Sequence, residues 1–295
     1  MAITKNVPTI EPKKIASIFT LTTNIILLYI IDNIYYFYYY INVIDMNEKE
    51  LIEYYNKHNE DKRLKTKHAN IEYITAMKYI HEYLTKDMKI LDVGAGTGAY
   101  SLQLMNEGYD VTAVELVKHN LKYIEATGVK CYQGNAIDLS RFDDNSFDLV
   151  LLFGPMYHLL SMDEKIKALN EAKRVTKKYI FISYCMNEFA LIYHGFMDGY
   201  IKDDINNIDD NYKILNDNDN LYSYVRIEDI NYLKDKCNLT RVKIINQDGP
   251  TEYMKDKVNK MDDETYELFI KYHLSTCERK ELLGAGRHIL DILEK

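Results

Sequence analysis

The chain has 295 residues, a formal charge of −8 and a pI of about 5.6. That length can bury a full core, as one large domain or one domain with additions, and the acidic balance argues against a phosphate backbone as main partner, because nucleic-acid affinity rests on clustered Lys and Arg. Cys131, Cys185, Cys237 and Cys277 lie far apart with no metal-binding spacing, so neither a disulfide framework nor a metal site is expected, and buried thiols in a reducing cytoplasm are.

Residues 1–45 stand apart from the rest. Twelve of the 17 residues from Ile15 to Ile31 are apolar, and Lys13 and Lys14 precede them. As a helix this stretch would measure about 26 Å against a bilayer core of about 30 Å, with the lysines holding its N-terminus inside. No small-residue cleavage site follows, which argues against a signal peptide. Three readings stay open: a membrane anchor, a packed accessory helix, or an upstream extension with Met46 as the native start. Membrane contact is expected only under the first.

From Met46 onward the pattern is that of a folded domain, 46–295. Apolar positions recur at helical spacing over 46–57 (Leu51, Ile52, Tyr55) and 69–85 (Ile71, Ile74, Met77, Ile80, Leu84), with a polar link from His58 to His68. Strands and helices then alternate. The strands are expected at Lys89–Val93, Asp110–Glu115, Val129–Gln133, Phe147–Phe153 and Lys178–Tyr184, and the helices at Ala99–Glu107, Val117–Ala126 and Asp163–Val175. Such alternation specifies a parallel sheet covered on both faces. Residues 203–220, rich in Asp and Asn, read as a loop or insertion. A helix over Arg226–Lys236, a strand over Leu239–Gln247, a helix over Thr251–Cys277 and a last strand over Arg287–Leu293 complete the chain.

The first strand runs into Gly94-Ala95-Gly96-Thr97-Gly98, and Glu115 stands 21 residues after Gly94. Glycines there accept positive φ and let a ligand lie against the backbone, and an acid at the tip of the next strand accepts hydrogen bonds from a ribose diol. Gly94, Gly96 and Ala99 also satisfy a dinucleotide fingerprint, so an NAD(P)-dependent oxidoreductase competes. Asp92, two residues before Gly94, weighs against a pyrophosphate and suits a cofactor that carries a sulfonium and an ammonium. Asn135, after the third strand, is placed to bond an adenine edge, and Phe147–Phe153 ends in a tight Gly154-Pro155 turn.

These pieces, LDVGAGTGAYSLQL (91–104), VTAVEL (111–116), GNAIDL (134–139) and SFDLVLLFGPMYHLL (146–160), resemble the class I S-adenosylmethionine-dependent methyltransferases. GPMYHL, with ELLGAGRHIL near the C-terminus, resembles a bacterial small-molecule branch (UbiE-like, methyltransferase type 11). The resemblance implies a Rossmann-like, doubly wound α/β sheet of seven strands whose last two form an antiparallel edge pair. It also implies helical lid elements over 46–85 and 185–280. Its cofactor is S-adenosylmethionine, its product S-adenosylhomocysteine, and its acceptor a small molecule; a non-catalytic cofactor-binding protein remains the other alternative.

On this reading Asp92, Gly94, Ala95, Gly96, Gly98, Glu115, Asn135 and Ala136 are the cofactor-binding candidates, with Asp138 either touching adenine or capping a helix. Leu116 belongs on the adenine face or in the core. Phe153 and Gly154 meet the methionine end through their backbone. Arg63, Lys67 and His68 sit where the family carries a basic lid, within reach of the cofactor carboxylate. Pro155, Met156, Tyr157 and His158 face the acceptor, with His158 as general-base candidate because its pKa lies near neutrality. Gly154 and Met156 depart from the Asn/Asp-Pro-Pro-aromatic pattern of base N-methylation, which is therefore not expected. Tyr54, Tyr55, Tyr193, Tyr253, Arg287 and His288 are candidates for the acceptor lining.

Overall fold

The computed structural model describes residues 48–57, 64–215 and 221–295. Of its two compact units, Glu50–Lys295 carries everything described below. The expectations for residues 1–45 and for Arg63 fall outside the described residues.

The elements run in chain order as helix α1 (helical over 50–57), α2 (Lys67–Tyr83), β1 (Lys89–Val93), α3 (Ala99–Asn106), β2 (Asp110–Glu115), α4 (Lys118–Glu125), β3 (Lys130–Gln133) and β4 (Phe147–Leu152). Then come α5 (Met162–Val175), β5 (Thr176–Met186), α6 (Asn187–Ala190), a π-helical stretch Leu191–Met197, β6 (Tyr224–Val225) and α7 (Ile227–Lys236). The chain closes with β7 (Thr240–Asn246), α8 (Lys255–Asn259), α9 (Asp263–Thr276) and β8 (His288–Glu294).

The sheet order is β3-β2-β1-β4-β5-β8-β7. Strands β1 to β5 are parallel, and β8 runs antiparallel between β5 and β7. This is the expected doubly wound arrangement with an antiparallel edge. One strand was not anticipated: the two-residue β6 adds to the end of β5, with Cys185 opposite Tyr224 and Met186 opposite Val225.

Strand alternation builds the two core layers. Leu91, Val93, Val150 and Leu152 pack with Ala168, Leu169 and Ala172 of α5 on one face. Ile90, Leu149 and Leu151 pack with Ala76, Tyr79 and Ile80 of α2 on the other. Because both faces are covered, β1 and β4 are nearly continuous apolar runs. Helix α5 starts on a capping box: Ser161 Oγ accepts from Glu164 N at 3.1 Å while Glu164 Oε2 accepts from Ser161 N at 3.0 Å.

The chain order reverses between β1 and β4, so their carboxyl ends open a crevice at which the loops after both strands converge. Two expectations need correcting. The stretch 251–277 is two helices, because Asp262 accepts from Thr265 N and starts α9 afresh after α8. The fifth strand runs on to Met186, since buried apolar residues continue through Cys185 and Met186 before Asn187 begins a helix.

Candidate cofactor and acceptor site

The glycine turn sits where sequence reasoning placed it. Gly94 N and Ala95 N both donate to Val114 O, at 2.8 and 3.1 Å, which ties the turn to β2. Gly94 has φ +73°, and a Cβ built there would lie 2.5 Å from Pro155 Cδ. Gly96 has φ +56° and no heavy atom within 4 Å of the corresponding position. The first glycine is required by packing against the 154–155 turn. The second leaves open room beside the backbone. Gly98, at φ +89°, starts α3.

Glu115 ends β2 and closes on this turn. Its Oε2 accepts from Gly96 N and its Oε1 from Val117 N, each at 2.8 Å. Burial pushes its carboxyl up to about 7; the bonds from Val117, Gly96 and Asn120 pull it back, and Asp92 adds a raising charge. Asn120, on α4, escaped sequence reasoning. Its side chain supports Glu115, yet its Oδ1 is buried with no partner among the described residues. A buried polar pair beside open space at a glycine turn fits a ribose that would supply hydroxyl donors.

Asp92 lies beneath the turn, accepting from Ser101 Oγ at 2.6 Å, and burial raises its carboxyl to about 6. The folded state therefore holds this proton more tightly than the unfolded chain. The associated stability is present below about pH 4 and lost as pH rises through about 6. Asp92→Asn removes that loss. Its stability relative to the native chain should improve by on the order of 3 kcal/mol between about pH 4 and pH 7. Urea unfolding at both pH values measures this, and a difference independent of pH would refute it.

Beyond β3, Asn135 Oδ1 accepts from Ile137 N at 3.2 Å, and Ala136 is buried in the core. Asp138 does not cap a helix as the sequence allowed. It accepts from Ser140 N at 3.0 Å within a turn, because no helix follows there. Leu116 is half-buried, and its carbonyl accepts from Gln133 Nε2.

On the β4 side, Gly154 comes so close to Gly94 that a Cβ on it would meet Gly94 O at 3.1 Å. Phe153 O accepts from the Tyr157 hydroxyl at 2.7 Å, so this phenol turns back on its own loop. His158 is held on both ring nitrogens. Nδ1 donates to Leu221 O at 3.0 Å, which leaves Nε2 to accept from the Tyr55 hydroxyl at 2.8 Å. Burial, with the charge of Lys165 nearby, pushes its pKa down to about 4. His158 is thus a neutral bridge between α1 and the segment before β6.

Lys165 was also missed, although a lysine on the apolar face of α5 is itself a signal. Fully buried, it donates to Leu159 O and to Ser223 Oγ, joining the 154–160 turn to the same segment. Lys67 and His68, expected within reach of the cofactor carboxylate, are engaged with α8 and α9. Lys67 donates to Met261 O and Asp263 Oδ1, each at 2.8 Å, and His68 N to Asn259 Oδ1, so both hold α2 against the α8–α9 linker.

The expected acceptor-side tyrosines gather in two groups. Tyr54 packs edge-on against Tyr55 and Tyr55 against His158 (ring centroids 5.2 and 5.5 Å), and Tyr222 stacks on Tyr157. Tyr193 stacks on Phe189 at 5.3 Å, and Tyr253 meets Phe189 edge-on at 5.3 Å. Arg287 lies 3.7 Å from Glu252. His288, at the start of β8, packs its ring 5.9 Å from that of Tyr157 and binds Asp248.

Comparison with known proteins agrees with this geometry. A model of the methyltransferase domain matches residues 91–181. A ubiquinone biosynthesis O-methyltransferase of Rickettsia prowazekii (strain Madrid E) is 28% identical over 131 residues, 43% of this chain and 51% of that protein. A 23S rRNA uracil-C5-methyltransferase of Pyrococcus abyssi is 27% identical over 39% of this chain and 28% of its own. The chain thus spans about half or less of these curated relatives. Among solved structures, a SAM-dependent methyltransferase of Thermotoga maritima superposes with TM-score 0.51 at 20% identity, covering 85% of this chain and 99% of that one. One from Archaeoglobus fulgidus gives TM-score 0.50 at 19% identity, covering 76% and 94%. No described helix is long and apolar enough to cross a membrane. The sheet order, the glycine turn and the Glu115 closure agree with the match of residues 91–181 to a methyltransferase domain, and the fold is that of the S-adenosylmethionine-dependent methyltransferases.

Proposed function

We propose that this chain transfers a methyl group from S-adenosylmethionine to a small-molecule acceptor by in-line displacement. The observation that carries the reading is Glu115 closing on the Gly96 and Val117 amides at the switch point of the sheet. When bound, the cofactor supplies a methyl already activated on a sulfonium. The chain's own task is then alignment and exclusion of water. Glu115 and Asn120 would hold the ribose, Asn135 and Ala136 the adenine, and the backbone of Gly94 to Gly98, Phe153 and Gly154 the amino-acid end. The 154–158 turn would present the acceptor, with α1, α2 and the segments after β5 and β7 around it.

The net charge of −8 supports a small acceptor over a nucleic acid. Four dispersed free cysteines support a reducing, cytoplasmic setting. Calorimetric titration of the full chain with S-adenosylhomocysteine, and with NAD in parallel, tests the reading. Micromolar binding of the first and none of the second is expected. Binding of NAD alone would overturn it in favour of an oxidoreductase.

A further inference from the structure

Helix α5 carries one ionisable side chain on its core side. Ala168, Leu169, Ala172 and Val175 form its apolar stripe, and Lys165 occupies the stripe's position one turn before Ala168 and Leu169. Lys165 is 0% exposed. Long side chains on a helix lean toward its N-terminus. This one reaches back past the N-cap Ser161 to donate to Leu159 O and, at 2.8 Å, to Ser223 Oγ. Two further bonds join the same segments. Ser223 N donates to Tyr157 O at 2.8 Å, and His158 Nδ1 to Leu221 O at 3.0 Å. Three consecutive residues of the turn after β4, Tyr157 to Leu159, are therefore each fastened to 221–223. Just beyond, β6 joins the end of β5, with Tyr224 opposite Cys185.

The donor count selects the form of Lys165 that fits. An ammonium carries three N–H donors, a neutral amine two. Two acceptors meet Nζ, and no carboxylate pairs with it among the described residues. The acids whose charge reaches it are committed elsewhere. Glu164 accepts from Ser161 N and Oγ, and Asp229 from Lys213 Nζ and Arg226 N. Lys165 also lies one turn inside the start of α5, where amide N–H groups without helical partners disfavour a cation. A third proton on Nζ would stand buried with nothing to accept it.

We propose that Lys165 is a positioning residue for the acceptor: as a neutral amine it clamps the Tyr157–Leu159 turn to segment 221–223, and on taking up a proton from solvent it releases them. That this turn faces the acceptor rests on the methyltransferase reading; the clamp does not. The groups acting on the amine are Glu164 of its own helix, Asp229 of α7, Cys185 of β5 and His158 of the turn. Burial outweighs the acids and lowers its pKa from the ordinary 10.5 to about 7. Once released, Nζ meets water and returns toward 10.5, so the released form binds the proton first. Release therefore grows by about tenfold per pH unit as pH falls from about 10 to about 7, and levels off below, where both forms are protonated. His158, held at about 4, is silent over this range. Asp92 and Glu115, whose pKa values are raised, give slopes of opposite sign.

Amide hydrogen exchange on the full chain reads the clamp without an acceptor. The probe is the Ser223 amide, which donates to Tyr157 O, with rates corrected for the intrinsic effect of pH. Its protection should fall about 15-fold from pH 8.5 to 7 and change only about twofold from pH 7 to 6. Lys165→Met, similar in length and without a titratable group, should abolish the slope. It should leave S-adenosylhomocysteine affinity at pH 8.5 within about threefold of native, because the clamp faces away from the glycine turn. Ser223→Ala keeps the amide but removes one acceptor of Nζ, and its 221–225 backbone should exchange about tenfold faster at pH 8.5. The native profile and Ser223→Ala decide the matter should Lys165→Met disturb folding. Native protection changing by less than about threefold between pH 8.5 and 7, a slope that persists in Lys165→Met, or Ser223→Ala exchange within about twofold of native would each overturn the proposal. A larger loss of S-adenosylhomocysteine affinity in Lys165→Met would overturn its acceptor role by assigning the clamp to the cofactor. Failure of the native chain to bind S-adenosylhomocysteine would overturn the methyltransferase reading and leave the exchange result standing.

Discussion

Glu115→Ala should weaken S-adenosylhomocysteine binding by about 100- to 1,000-fold, because on the proposed reading it removes two charge-assisted hydrogen bonds to a ribose diol. It also strips the Gly96 and Val117 amides of their acceptor, so the turn loses the tie that presets its shape. Glu115→Gln keeps one acceptor oxygen and should fall between. The same carboxyl makes binding depend on pH. It sits at about 7 in the free protein, and ribose hydroxyls donate best to its ionised form. Binding below about pH 7 must expel a proton, so affinity should drop about tenfold per pH unit there and level off above. Stability of the free protein moves the other way. A carboxyl raised by burial contributes stability that is fully present below the unfolded pKa, near 4.5, and lost as pH rises through about 7. The ligand-free chain should therefore melt higher near pH 5 than near pH 8, while the ligand-induced rise in Tm is larger near pH 8. Calorimetry across this range checks both, and an affinity flat with pH would show that Glu115 does not meet the ribose.

What the sequence made legible follows from how local each signal is. β1 and β2 were placed to the residue because a buried parallel strand is a short apolar run with charged ends, Lys89 and Asp110. The glycine turn and Glu115 were legible because a strand, a glycine turn and an acid at the tip of the next strand form a pattern of set spacing. His158 was legible as part of the turn after β4, but what neutralises it is not local. Tyr55 and Leu221 lie 103 and 63 residues away. The Glu72–His288–Asp248 cluster draws on α2, β8 and the loop after β7, and no periodicity links such positions. Residues 251–277 misled because apolar spacing persists across Asp262, whose carboxylate caps a new helix. The region after β5 resisted because its order comes from aromatic stacking around Phe189 and from a π-helical stretch, which no 3.6-residue pattern announces.

Gly94→Ala should be severely destabilising. At φ +73° an L residue is already strained by about 1 kcal/mol. The added carbon would also sit 2.5 and 2.7 Å from Pro155 Cδ and Cγ. The proline ring cannot swing aside as a flexible side chain would, and Gly154 behind it already lies against Gly94 O. Relief requires moving the whole 154–155 turn off β1. We expect a loss of about 4 kcal/mol and a fall in Tm of about 10 °C. Gly96→Ala is the informative contrast. Its φ of +56° carries a similar strain, but nothing lies within 4 Å of the new methyl. It should cost about 1 kcal/mol of stability and yet reduce S-adenosylhomocysteine affinity by more than about tenfold, because the methyl would stand where the cofactor approaches the backbone. Denaturant unfolding and calorimetry on both variants separate the two roles. A Gly94→Ala protein melting within about 2 °C of the native chain would mean that the two turns are not packed as rigidly as their contact implies. A Gly96→Ala protein binding normally would move the cofactor away from this turn, and with it the reading that Glu115 and the glycines form one site.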